Sequence, residues 1–298
     1  MTDISDKKCA PHKKYEDGSC FEYNSLVKIA NAWNEKYDEK IKITSDKKKL
    51  VSKIEDKLED KCSDQTCWLR QKFIHQIADE KMKDTFRPKG PDGKKEWLST
   101  LDINAVMEQY QNKYKDFIYL GTTPSDFLEL PVLGISNLNF NDLIKKNKYQ
   151  IGMVINLDEH NESGSHWVSL YANLKKNQVY FFDSFGKKPI KNIKKFLNKI
   201  IQFLYKKEFE SDIPIKYLEK AFKKYYRLSE PLQKALSKVD IRYNKDRHQR
   251  TTYECGVYSM NFILRLLDGD SFDDIISNPL SDKKMNDCRN IYFRNKYK

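Results

Sequence analysis

The run Glu254-Cys255-Gly256-Val257-Tyr258-Ser259-Met260-Asn261-Phe262-Ile263-Leu264-Arg265-Leu266-Leu267 decides how this chain of 298 residues folds. From Gly256 to Leu267 it is apolar almost all round, so it predicts a helix that runs through a core rather than along a surface. Gly269 supplies its stop. Upstream, Ile151–Leu157 and Trp167–Ala172 are apolar runs of buried-strand length. Val179–Phe182 follows Trp167–Ala172 across a connection short enough for a hairpin, and Val239–Tyr243 alternates with period two. Between these last two strands the spacing predicts two helices. The first covers Ile190 to Tyr205 and buries Ile193, Phe196, Leu197, Ile200 and Leu204. Another helix carries Ile103, Val106, Met107 and Tyr110, with Thr100 or Asp102 as its cap. The fold class of this downstream part is α+β.

The upstream part reads differently. Residues 1–86 are helical in pattern: Asn24 caps a helix with Leu26, Ile29, Ala30 and Trp33, Leu50, Ile54 and Leu58 form a second stripe, and Trp68, Leu69, Phe73 and Ile77 a third. Arg87-Pro88-Lys89-Gly90-Pro91-Asp92-Gly93-Lys94-Lys95 sustains neither helix nor ladder. The expected organisation is therefore a helical N-terminal domain over 1–86, a linker over 87–96 and a second domain over 97–298.

Composition narrows the function classes. The 18 Tyr and 16 Phe argue against wholesale disorder. No apolar run approaches the roughly 20 residues that span a bilayer, and the first residues lack a signal-peptide layout, so a soluble protein kept inside a cell is expected. The formal charge is +12. Much of it is lysine spread along the whole chain, but residues 187–207 hold eight lysines and no acid on a helical segment. That face can meet non-specific DNA.

Cys255 stands where a polar loop meets the buried helix. A thiol there faces the positive end of the helix dipole and unpaired backbone N–H groups, which favour the charged nucleophile. Gly256 keeps the sulfur approachable and leaves room for a substrate backbone. The alternative is a structural cysteine that merely packs. The company it keeps decides between them. His166 opens the Trp167 strand, where a general base is fixed yet can reach a cleft. Asp183 ends the neighbouring strand, and in a hairpin of these lengths it lies beside His166. Gln249, six residues before Cys255, can donate to an oxyanion together with the Cys255 N–H.

In this order, His166-Trp167, Phe182-Asp183-Ser184, Gln249 and Glu254-Cys255-Gly256 resemble the clan of SUMO-specific and adenovirus maturation proteases. The likeness is closer to the polyprotein-processing proteases of large cytoplasmic DNA viruses, the African swine fever virus type. It is carried by Trp97–Ile103, Asn156-Leu157-Asp158, Gly164–Trp167 and His248–Gly256, and extends upstream through Cys9, Cys20, Cys62 and Cys67. The resemblance implies a papain-like, adenain-type core: a central mixed sheet flanked by helices, with a buried nucleophile helix. It implies a cysteine endopeptidase that cuts after Gly-Gly-type sites in structural precursors during virion maturation, located in the virion and host cytoplasm. Cys255, His166, Asp183 and Gln249 would be catalytic, and Trp167, Gly256 and Asn156 would bind substrate. No cofactor or metal is implied, although the lysines of 187–207 allow stimulation by DNA. A protease that removes SUMO or another ubiquitin-like modifier shares this chemistry, and a DNA- or capsid-binding module is the non-catalytic reading. The four upstream cysteines are open to reduced packing, disulfides or a metal.

Overall fold

A computed structural model describes residues 8–209, 237–295 and 297. The second helical stretch expected before Val239 falls on 210–236 and lies outside the described residues. The chain forms two compact units, Met1–Gly90 with Asn290–Lys296, and Pro91–Arg289 with Tyr297–Lys298.

The first unit is built from helices α1 (Tyr23–Lys36), α2 (Lys47–Leu58), α3 (Gln65–Trp68), α4 (Lys72–His75) and α5 (Glu80–Lys83). Leu26, Ile29 and Ala30 of α1 and Leu50, Ile54 and Leu58 of α2 are buried together with Trp68, Ile74 and Met82. Phe21 stacks on Trp68 at 5.8 Å and meets the edge of Phe86 at 5.1 Å. Three details differ from the sequence expectation. Helix α1 starts at Tyr23, with Glu22 rather than Asn24 at the N-cap and no side-chain cap bond. The third stripe is two single turns, because Asp64 caps α3 through the Cys67 N–H (3.1 Å) and the Cys62–Cys67 disulfide closes the same loop. The unit also takes in residues beyond Asn290: the Arg294 N–H donates to Pro88 O (3.0 Å), and the Asn295 Oδ1 accepts from the Gly90 N–H (2.9 Å). Cys9 pairs with Cys20, so the four upstream cysteines form two disulfides.

The second unit holds α6 (Thr100–Lys113), β1 (Phe117–Thr123), α7 (Phe140–Lys145), β2 (Gln150–Asn156), β3 (Trp167–Asn173), β4 (Gln178–Phe182), α8 (Lys191–Phe209), β5 (Asp240–Tyr243) and α9 (Cys255–Asp268). Ser99 caps α6 in a reciprocal box with Asp102, one residue before the expected cap. The five strands lie in chain order in one mixed sheet. β1 and β2 are parallel, β2–β3 and β3–β4 antiparallel, and β4 and β5 parallel. Because side chains alternate across a strand, Val168, Leu170, Ala172, Val179 and Phe181 face Ile193, Phe196, Ile200 and Leu204 of α8. The opposite face receives α9, where Phe182 stacks on Phe262 at 4.8 Å. On α8, Lys199 and Lys207 donate to the carbonyls of Ser136 (2.8 Å) and Leu174 (2.6 Å), which ties two of the eight lysines to the protein itself.

Candidate active site

The strand directions determine where the candidate residues meet. β4 and β5 run the same way and β3 runs against them, so the start of β3, the end of β4 and the end of β5 share one edge of the sheet. His166 precedes β3, and its carbonyl accepts from the Leu157 N–H at 2.9 Å, extending the β2–β3 ladder by one pair. Asp183 follows the last residue of β4. The loop from β5 passes through Gln249 and ends at Cys255, the first residue of α9.

His166, Asp183 and Cys255 are buried together, at 7%, 1% and 2% exposure. His166 Nε2 lies 2.6 Å from Asp183 Oδ1, and the Cys255 sulfur is near enough to act on the same ring. With Nε2 committed to Asp183, Nδ1 is the nitrogen left for the sulfur. Burial alone would push the imidazole down. The hydrogen bond that the ring donates to Asp183, followed by the pull of the nearby Cys255 sulfur, outweighs burial and raises it to about 9. The ring therefore carries its second proton at neutral pH.

Neighbouring groups fix this geometry. The Phe185 N–H donates to Asp183 Oδ1 (2.8 Å), and the Phe185 ring stacks flat on His166 at 4.3 Å. Asn244 clamps the Asp183 backbone from both sides, accepting from its N–H (2.9 Å) and donating to its carbonyl (2.6 Å). The guanidinium of Arg247 lies 4.7 Å from the Phe185 ring, on which it can act as a cation–π partner.

The remaining candidates have defined places. Gln249 is fully buried; its Oε1 accepts from Ser184 Oγ (2.6 Å) and its Nε2 donates to Thr251 O (2.8 Å). One of its two amide protons is thus spent within the loop. Asn156 Oδ1 accepts from the N–H groups of Asp158 (3.0 Å) and Ser165 (3.2 Å), so this side chain staples the β2–β3 connection that delivers His166. The Trp167 indole N–H donates to Leu98 O at 2.9 Å. Around Gly256, a Cβ would stand 3.2 Å from Leu98 Cβ and 3.3 Å from Ile103 Cδ1. The space that glycine keeps open on that side is filled by the protein's own apolar side chains, so close packing of α9 against them is the reason for glycine there.

Sequence reading missed a buried ion pair at the start of α9. Glu254, fully buried, accepts from Arg289 Nε (3.3 Å) and from the Asn286 amide. Burial raises the Glu254 carboxyl, while Asn286 and Arg289 work against that rise. Arg289, also fully buried, donates to the carbonyls of Glu96 (2.7 Å) and Tyr253 (3.2 Å). Removing one partner leaves a buried charge unpaired. Arg289→Met is expected to cost about 3–5 kcal/mol in denaturant unfolding, and adding Glu254→Gln should recover part of the loss. A loss under about 1 kcal/mol would show that the pair does not hold this segment.

A thiol, an imidazole and a carboxylate gathered at the edge of a mixed sheet, with the sulfur at a helix start, have the build of a cysteine protease site. Residues 140–298, more than half of the chain, match the sequence model of the Ulp1 protease family, C-terminal catalytic domain. The chain is 36% identical to a putative thiol protease of Acanthamoeba polyphaga mimivirus, over 96% of this chain and 93% of that protein. It is 22% identical to the SUMO-1 cysteine protease of African swine fever virus, over 83% of this chain and 88% of that one. The crystal structure of the African swine fever virus protease superposes with a TM-score of 0.65 at 19% identity, covering 99% of this chain and 98% of that one. The chain belongs to the Ulp1 protease family of cysteine proteases, and its mixed sheet flanked by helices is the fold of that viral protease.

Proposed function

We propose that this chain is a viral cysteine endopeptidase that cuts structural precursors after Gly-Gly-type sites during virion maturation, in the virion and host cytoplasm. The observation that carries the catalytic part is the position of His166 between Asp183 and Cys255. The resemblance to proteases of large DNA viruses over nearly the whole chain supports the precursor substrate.

The Cys255 sulfur attacks the scissile carbonyl as the thiolate, and the carbonyl oxygen takes the negative charge. The Cys255 N–H and the Gln249 amide hold that oxyanion. The protonated His166 gives its proton to the leaving amine, then removes one from the water that releases the acyl-enzyme. Asp183 keeps the ring oriented and its charge balanced. Gln249→Ala is expected to lower kcat by about 10²–10³-fold with little change in KM. A change below tenfold would remove Gln249 from the oxyanion site.

The family match also supports a second reading, removal of SUMO or another ubiquitin-like modifier. Incubation with a Gly-Gly-X peptide, a SUMO precursor and a ubiquitin-like fluorogenic probe separates the two. Efficient cleavage of the peptide supports precursor processing, and cleavage of the modifier substrates alone overturns it.

A further inference from the structure

The motif Phe182-Asp183-Ser184 contains one residue to which the chemistry above gives no part. Ser184 directly follows Asp183 and is fully buried, at 0% exposure. Its carbonyl accepts from the N–H groups of His248 and Gln249, both at 2.9 Å. Its Oγ donates to Gln249 Oε1 at 2.6 Å. One residue thus holds both the backbone and the side chain of Gln249. At the other end of the amide, Nε2 donates to Thr251 O at 2.8 Å. The segment carrying that carbonyl is itself fixed, because Asp282 Oδ2 accepts from the N–H groups of Arg250 (3.0 Å) and Thr251 (2.7 Å).

These contacts decide which way the amide faces. The terminal torsion of a glutamine has broad preferences, so the side chain's own rotamer does not set the amide plane. An amide offers one accepting oxygen and two N–H donors. Thr251 O can only accept, so it takes an N–H. The amide oxygen is then left to Ser184, whose hydroxyl meets it as a donor. One Gln249 N–H remains, and it is the one an oxyanion can take. Without the Ser184 hydroxyl, a fully buried oxygen loses its donor, which is costly enough to turn the amide towards another. Both N–H groups turn with it, because the amide is planar. The Ser184 carbonyl stays, so the backbone of the loop keeps its two bonds.

We infer that Ser184 is a positioning residue for the oxyanion site, its hydroxyl holding the Gln249 amide so that the second N–H meets the developing charge; this rests on the protease reading above. It is tested with Ser184→Ala, Gln249→Ala and the double variant of the full-length protein. The substrate is whichever of the Gly-Gly-X peptide, the SUMO precursor and the ubiquitin-like probe the parent cleaves. Ser184→Ala is expected to lower kcat by about five- to fiftyfold with little change in KM, since a displaced donor loses part of what a deleted one does. The double variant should be no slower than Gln249→Ala alone, because the hydroxyl acts through that amide. The alkaline limb of the pH profile should stay where it lies in the parent, because the His166–Asp183 pair is untouched. Ser184→Cys, a weaker donor in the same place, should fall between the parent and Ser184→Ala. A kcat loss below about fivefold, a double variant clearly slower than Gln249→Ala, or a shifted alkaline limb overturns the role of Ser184 and leaves the protease standing. A parent that cleaves none of the three substrates overturns both.

Discussion

Cys255→Ala is expected to abolish peptide hydrolysis while the protein stays folded. Removing the nucleophile of a protease dyad or triad costs about 10⁵–10⁶-fold in kcat, since the remaining members cannot act without it. The fold should tolerate the change. Cys255 is 2% exposed, and alanine, being smaller, introduces no polar atom and no steric conflict at the helix start. The other unpaired thiol gives no substitute. Burial, followed by the charges of Asp287 and Glu254, pushes the Cys288 thiol up to about 11, so almost none of it is thiolate at neutral pH. Its sulfur is also turned to Lys284 O at 3.4 Å. Turnover of a Gly-Gly-X peptide and thermal melting, measured on the same preparation, check the prediction. Residual turnover above about 1% of the parent rate would place the nucleophile elsewhere.

The parts of this architecture that sequence reading reached are those with a local cause. The α9 helix is legible because its apolar residues surround the axis, and the β3–β4 hairpin because its connection is short. His166 and Asp183 then follow from the hairpin, which needs no long-range information to put them side by side. Strand β1 escaped because its run Phe117–Leu120 is broken by Gly121, where the register with β2 shifts and φ is +100°. Asn244 and Arg289 escaped for another reason. Each earns its role through a partner far along the chain, Asp183 for Asn244, and Glu96 and Glu254 for Arg289. On its own, Asn244 is a loop residue after a strand and Arg289 a charged residue near a polar terminus. The cysteine spacings upstream fit several chemistries, and only the Cα–Cα separations of 5.4 Å in both pairs select disulfides.

Asp183→Asn is expected to lower kcat/KM near neutral pH by about 10²–10⁴-fold and to change how activity depends on pH. An asparagine Oδ1 can still accept from the Phe185 N–H, and Asn244 still clamps the backbone, so position 183 keeps its place. What is lost is the carboxylate partner of Nε2, whose hydrogen bond is the foremost influence, and whose charge a smaller one, holding the imidazole above its ordinary 6.5. Without it, burial pulls the ring down and the Cys255 sulfur alone pulls it up. With a protonated imidazole as the proposed proton donor, the parent enzyme should hold its activity into alkaline solution and lose it around pH 9. In the variant that limb should move to markedly lower pH. Stability gives an independent readout of the same group. A histidine raised on folding stabilises fully below its ordinary value, and that contribution fades as pH rises towards its folded value. The parent should therefore lose this increment between about pH 6.5 and 9, and the variant should show a shallower decline over that window. If the alkaline limb stays near 9 in the variant, the proton under observation is not held by the His166–Asp183 pair, and the orienting role of Asp183 is wrong.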